Sequence, residues 1–190
     1  MAAPATGIKT RFTIIPDVDH VGWHIAKEEF ATQYLFGDGT TPTAKGAIAG
    51  APGNQVWATW VHRYYGPLDA EDPSNVLYIL RLVVEVDESA TRLPGDAARR
   101  PPKDIYEMQV KLLRAVLQAA QAEADEWKLN IVKMWEPSPL VLDMLQHSGL
   151  DYMITEREED SIASLQWYDQ DGGVSPEFPL WVNNEHYAWQ

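Results

Sequence analysis

The sequence predicts a single α/β domain: a mixed, mostly antiparallel sheet with helices on both faces. The first observation behind this is the stretch Asn75 to Asp87, NVLYILRLVVEVD, apolar at nearly every position from Val76 to Val86 and charged only at Arg81 and Glu85. A strand with one face in water alternates apolar and polar residues, so this one belongs at the centre of a sheet, buried on both faces. The second is the long apolar stripe of Ile105, Met108, Leu112, Leu113, Val116, Leu117, Ala120, Ala124 and Trp127, a helix pattern that covers one face of such a sheet. The third is the order of elements, which runs helix, hairpin, central strand, long helix, strand, short helix and final hairpin, with no internal repeat.

In chain order, residues 1–10 read as a loose lead-in and residues 11–190 as the domain. Arg11–Ile15 is a short strand stopped by Pro16. Asp17 or Asp19 caps a helix over His20–Phe36, whose apolar side is Trp23, Ala26, Phe30 and Tyr34. The segments Lys45–Gly50 and Asn54–Tyr65, joined by the turn signal APGN, form a hairpin. In the longer of the two, Val56, Ala58, Trp60, His62 and Tyr64 share one face. In the central strand, strict alternation puts Val76, Tyr78, Leu80, Leu82, Val84 and Val86 on one face and Leu77, Ile79, Arg81, Val83 and Glu85 on the other. Arg81 and Glu85 then mark either a site or ion pairs to neighbouring strands. Glu88–Pro102 is too rich in breakers to be regular, and Asp104 is placed to cap the long helix. A strand over Leu129–Trp135 and a helix over Leu140–His147, ended by Gly149, come next. Asp151–Glu156 and Ile162–Tyr168 make the final hairpin. The aromatic tail Phe178–Gln190 is expected to pack back on the body or to meet a second copy or a partner chain.

Composition narrows the function classes. The chain has no cysteine, which removes disulfides, thiolate metal sites and cysteine nucleophiles. A formal charge of −13 argues against a nucleic-acid partner, because phosphates are repelled. No window reaches the eighteen or so apolar residues of a membrane span, and the first ten lack the apolar core of a secretory signal, so a cytoplasmic location is expected. His20, His24 and Glu28 stand at one-turn spacing and could share a metal, but a zincin helix carries Glu directly after its first His, where this chain has Val21. No metal is expected.

The segments WHIAKEEF, KGAIAG, VLYILRLVVE, LRAVLQAAQAEADEW, REEDSIASLQWY and WVNNEHYAW resemble the C-terminal half of fungal lysine N-acetyltransferase-like proteins. The unit IVKMWEPSPLVLDMLQHSGLDY is similar to the last strand–helix–strand part of the GNAT acyltransferase fold. The resemblance implies an acyl-CoA-dependent N-acyltransferase acting on a small amine or amino acid. It also implies acetyl-CoA seated in a V-shaped slot where the central strand parts from its neighbour. In those longer proteins the acetyl-CoA machinery is implied to lie in the N-terminal half. A GNAT that binds CoA follows its central strand with a Gln/Arg-x-x-Gly-x-Gly/Ala turn, whose amides cradle the pyrophosphate. Here Glu88–Pro102 holds one glycine, Gly95, and the position of the family's frequent tyrosine acid falls on Leu145.

Within that frame Arg99, Arg100 and Lys103 are candidates to hold CoA phosphates by side-chain charge, with Val84 at the end of the central strand beside them. A charge run of this kind is more often simply a solvated loop. Glu136 and His62 are candidate bases for deprotonating an amine, with Tyr64 as proton donor, against the alternative of aromatic packing with satisfied polar tips. Arg81, Trp60 and Trp135 are candidates to contact a small-molecule substrate. Two other classes stay open, namely a catalytically silent GNAT-like module that binds a small molecule or partner, and an enzyme that uses the cleft for other chemistry.

Overall fold

The computed structural model describes residues 11–69, 74–85, 101–156, 164, 166–168, 179–182 and 184–189. Its elements are β1 (Arg11–Phe12), α1 (Val18–Phe36), β2 (Gly46–Ala49), β3 (Val56–Arg63), β4 (Val76–Val84), α2 (Lys103–Glu126), β5 (Ile131–Met134), α3 (Pro139–Ser148) and β6 (Leu180–Trp181), followed by a 3₁₀ turn at His186–Ala188. The main sheet runs β2-β3-β4-β5, antiparallel except for the last pair, and β1 pairs with β6 in a separate parallel two-stranded sheet. The α/β class, with helices on both faces and β4 at the centre, is as expected.

One face of the sheet carries α2 and α3. Val56, Ala58, Trp60, Leu77 and Ile79 pack there against Val110, Leu113, Val116, Leu117, Val141, Met144 and Leu145. Each buried aliphatic side chain of this kind contributes about 1.5–3 kcal/mol. On the other face Val61, Val76, Tyr78 and Leu80 meet Tyr187 of the 3₁₀ turn. The aromatic tail therefore packs back on the body over its described part.

Strict alternation fails in β4. Thr59 pairs with Arg81 but Trp60 pairs with Ile79, leaving Leu80 unmatched as a bulge. One extra residue reverses the faces beyond it. Leu82 and Val84 accordingly join Leu77 and Ile79 against α2, while Arg81 lies near Tyr187 on the opposite face.

Other local expectations change as well. Helix α2 begins after Pro102 with no side-chain cap, so Asp104 is a first-turn residue and not the cap. Asp17 does cap α1, accepting from the His20 N–H at 3.0 Å. Gly149 ends α3 in the left-handed region at φ 70°, as the C′ position requires. Residues 151–156 form no strand, and 157–163 and 165 lie outside the described residues, so the final hairpin is not formed among those described. The lead-in 1–10 also lies outside them. Among the described residues no helix is long and apolar enough to cross a membrane.

Candidate functional site

The edge of β3 is freed where β2 ends. β2 pairs only as far as Thr59, so among the described residues Val61–Arg63 have no strand on that side. Helix α1 covers this edge with its polar side. His24, Glu28 and Thr32, four apart, are its fully buried residues, while Phe30 and Tyr34 are 77% and 84% exposed. The expected apolar side of α1 is thus the wrong side. Glu28 Oε1 accepts the His62 backbone N–H at 2.8 Å and contacts His62 Nδ1 at 2.5 Å, and Oε2 accepts from Lys45 Nζ. On the far side of the ring His62 Nε2 meets Glu123 Oε1 of α2 at 3.1 Å. The His62 ring thus has a carboxylate against each of its nitrogens. Burial pushes the Glu28 carboxyl up, but the hydrogen bonds from His62 and Lys45 outweigh it and hold it below the usual range.

One turn earlier on α1, His24 Nδ1 accepts from Arg63 Nη2 at 2.5 Å and Nε2 faces the Tyr187 carbonyl at 3.2 Å. That fixes the neutral tautomer with its hydrogen on Nε2. Burial first, and then the Arg63 charge, bring this histidine down to about 4. His20 is bonded to Asp17 instead, so His20, His24 and Glu28 each have separate partners. Among the described residues no group of three His, Asp or Glu side chains could hold a metal ion.

The edge of β4 is freed in the same way. β5 pairs from Val76/Ile131 to Ile79/Met134 and then stops, while β4 continues to Val84. The strands therefore part where the slot was expected. The chain's own C-terminal segment borders that opening. Glu185 Oε1 accepts the Leu82 N–H at 2.9 Å, and Oε2 stands 4.0 Å from Arg81 Nε. Burial raises the Glu185 carboxyl above its ordinary value; the Leu82 amide and Arg81 offset this only in part. His186 stacks on Tyr78 with ring centroids 4.0 Å apart, and Trp135 packs on His186 at 4.7 Å and on Trp189 at 6.0 Å.

On the face of the sheet that carries the tail lies a recess of about 340 Å³ lined by Pro16, Val21, Trp57, Thr59, Arg81 and Tyr187. The Arg81 guanidinium carbon sits 6.0 Å from the Trp57 ring centroid and 5.8 Å from that of Tyr187. Its Nε is buried with no hydrogen-bond partner among the described residues. A second recess, lined by Gly46, Ala47, Ile48, Gln55 and Trp57, shares Trp57 with the first. Glu85 points elsewhere, accepting the Gly53 and Gln55 amides of the hairpin turn at 2.9 and 3.1 Å.

The candidates named from sequence are thus scattered. His62 is fully buried with both ring nitrogens engaged. Tyr64 donates to the Trp127 carbonyl at 3.0 Å, and burial, followed by the charges of Glu28 and Glu123, pushes its phenol well up. Glu136 is exposed just past β5, in the left-handed region at φ 39°, a strained conformation for a non-glycine residue. Trp60 is core beneath α2, its Nε1 donating to the Ala44 carbonyl at 3.0 Å. Val84 is half-buried and paired with Val56. Lys103 is 85% exposed and stands 3.8 Å from Glu107, and Arg99 and Arg100 lie outside the described residues. Of these candidates, Arg81 lines the recess on the tail face of the sheet. Glu123, Lys45 and Glu185 were not anticipated, and Glu28 was read only as a possible metal ligand beside His20 and His24. The one available signal was the four-residue spacing of His24, Glu28 and Thr32.

Acetyl-CoA does not fit the described edge of β4 as it is arranged. A thioester or pantetheine group bonding to that edge meets the Leu82 amide already held by a carboxylate. The same carboxylate opposes a polyanion. Among the described residues the start of α2 has Pro102 before it and Asp104 in its first turn, and no glycine.

Comparison with known proteins gives a family. No curated protein matches the chain. A crystal structure of a point mutant of TTHA1254 from Thermus thermophilus is similar over 80% of this chain and 98% of that one, at 12% sequence identity and a TM-score of 0.37. The family model described as the LYC1 GNAT-like C-terminal domain matches residues 1–190. The chain belongs to that family, and its fold is of the acetyltransferase type.

Proposed function

We propose that this domain serves N-acyl transfer by holding the small amine or amino acid that is acylated, and that it does not carry the acyl donor on β4. The observation that carries this reading is the Glu185 carboxylate on the Leu82 amide. It occupies one amide of the edge where a thioester would lie, while the recess beside that edge has aromatic walls and a cation. A recess of that size with few polar groups suits a small molecule. His62 and Tyr64 act here as structural residues that join α1, β3 and α2. The test is a calorimetric titration of the protein with acetyl-CoA, which is expected to give no saturable heat. Stoichiometric binding, or transfer of an acetyl group to an amine by this chain alone, defeats the reading.

That opposite result belongs to a second reading, in which the chain is itself an acyl-CoA-dependent N-acyltransferase. Two observations favour it: the parting of β4 from β5 beyond Ile79, and the strained, exposed Glu136 beside that opening. In this reading Glu136 takes the proton from the amine, and Glu136→Gln abolishes transfer while leaving the melting temperature unchanged.

A further inference from the structure

We propose that the outer face of α1 is a self-complementary contact through which two copies of this chain form a reversible, two-fold symmetric dimer. Helix α1 turns His24, Glu28 and Thr32 to the sheet, and that leaves its apolar stripe in water. Gly22, Ala26, Phe30 and Tyr34 follow one another at four-residue spacing on this outer face. All four are exposed, Phe30 and Tyr34 by 77% and 84%. Two neighbouring bare rings on one helix face mark an interaction surface.

The stripe itself identifies what covers it. Its N-terminal half is small and its C-terminal half is large. Laid antiparallel about a two-fold axis midway between Ala26 and Phe30, it places Tyr34 over Gly22 of the second copy and Phe30 over its Ala26. The same two pairs recur on the other side of the axis. Gly22 has no other role in the fold. A glycine inside a helix destabilises it relative to alanine, and here a Cβ would meet nothing within 4 Å. A ring from a second copy gives that bare backbone a partner.

The area fits a weak dimer. An aromatic side chain carries about 150–250 Å², so the four rings of two copies bring on the order of 600 Å². The helix surface that they cover adds a comparable area, for a total of about 1,200 Å², the lower end of specific interfaces. Two copies of charge −13 also repel one another. The dimer is therefore populated at about 500 μM and apart at the few micromolar of an unfolding curve.

Sedimentation velocity on the full chain from about 5 to 500 μM tests this. The average mass is expected to rise from that of one copy toward that of two. Phe30→Ser and Tyr34→Ser should each weaken association by about tenfold or more. Met153→Ser, which removes an 81% exposed apolar side chain elsewhere, should leave it unchanged. Gly22→Leu separates a shaped contact from mere stickiness. It adds apolar surface and favours the helix, yet it fills the place of the Tyr34 ring, so it should weaken the dimer by about tenfold without lowering the monomer's melting temperature. Raising salt from about 50 to 300 mM should strengthen association, because it screens two like-charged copies. A chain that stays monomeric at about 500 μM overturns the proposal. So does growth beyond two copies, a Gly22→Leu variant that associates as tightly as the unaltered chain, an equal loss on Met153→Ser, or an association that salt dissolves.

Discussion

The two central strands each lose a neighbour partway along, and each bare edge is closed by a glutamate on a backbone amide. On β3 Glu28 takes the His62 N–H, and on β4 Glu185 takes the Leu82 N–H. The surroundings differ. Glu28 is held by Lys45 and the His62 ring, and its carboxyl is driven below the usual range in spite of burial. Glu185 has one amide and an arginine at 4.0 Å, and burial prevails, raising its carboxyl. An unpaired amide edge has to be satisfied in either case. The Glu28 charge is matched by Lys45, whereas that of Glu185 has only an arginine at 4.0 Å. The β4 edge is the one beside the recess.

Removing Glu28 should break the comparison most severely. Glu28→Ala strands the His62 ring and the His62 amide in a buried place and takes the partner from half-buried Lys45, and breaking a buried pair of this kind costs about 3–5 kcal/mol. Urea unfolding at neutral pH checks it, and a loss under about 1 kcal/mol would mean the joint is not structural. Glu28→Gln should cost less, because its amide oxygen still accepts the His62 N–H.

Acid should act on the same joint next. For His24 the unfolded imidazole titrates near 6.5 and the folded one near about 4, so the unfolded chain takes up the proton first. The stability that neutral His24 supports is complete above its unfolded value and is lost as pH falls toward the folded one, on the order of 3 kcal/mol at about 1.4 kcal/mol per pH unit. Glu28, with its lowered carboxyl, supplies stability above its unfolded value that is lost as pH falls through its folded one, so both groups push the same way. His24→Gln should flatten the fall between neutral pH and pH about 4 in unfolding curves. An unchanged slope would remove His24 from the account.

Glu185 carries the opposite sign. A carboxyl raised on folding contributes stability below its unfolded value, and that contribution is lost as pH rises through the folded one. Glu185→Gln keeps an acceptor for Leu82 and removes the burial cost of the charge. Stability at neutral pH should hold or rise by up to about 1 kcal/mol. A loss of the size expected for Glu28→Ala would show that the two edges are closed in the same way after all.

How much of this was legible in the sequence follows from which forces are local. The central strand, the long helix, the Asp17 cap and the Gly149 stop rest on apolar runs and capping chemistry spelled out over a few adjacent residues. The bulge at Leu80 was not legible, since nothing in LYILRL marks where an extra residue enters; the register with β3 decides it. The recess inherits that loss, because only the bulge brings Arg81 beside Tyr187. The Glu28 joint was hidden for a different reason. Its partners Lys45, His62 and Glu123 come from separate elements, and a glutamate on a helix reads as a solvated residue until the fold places a bare amide opposite it.

The smallest expected effect tests which side of α1 makes the joint. Helical spacing offers two stripes, Trp23–Phe30–Tyr34 and His24–Glu28–Thr32, and hydrophobicity selects the first. The structure buries the second, because the bare β3 edge needs a carboxylate more than the sheet needs two further rings. Phe30 and Tyr34 thus stand 77% and 84% exposed, and neither meets the penalty of an apolar core residue on truncation. Phe30→Ser and Tyr34→Ser should each change the unfolding free energy by no more than about 0.5 kcal/mol, the range of an exposed substitution. Thr32→Val, one turn past Glu28 on the buried side, removes a hydroxyl that donates to the Glu28 carbonyl at 3.0 Å, and should be felt more. If the order came out reversed, with Phe30 costly and Thr32 indifferent, helix α1 would have to sit rotated on the sheet, and Glu28 could not reach the His62 amide.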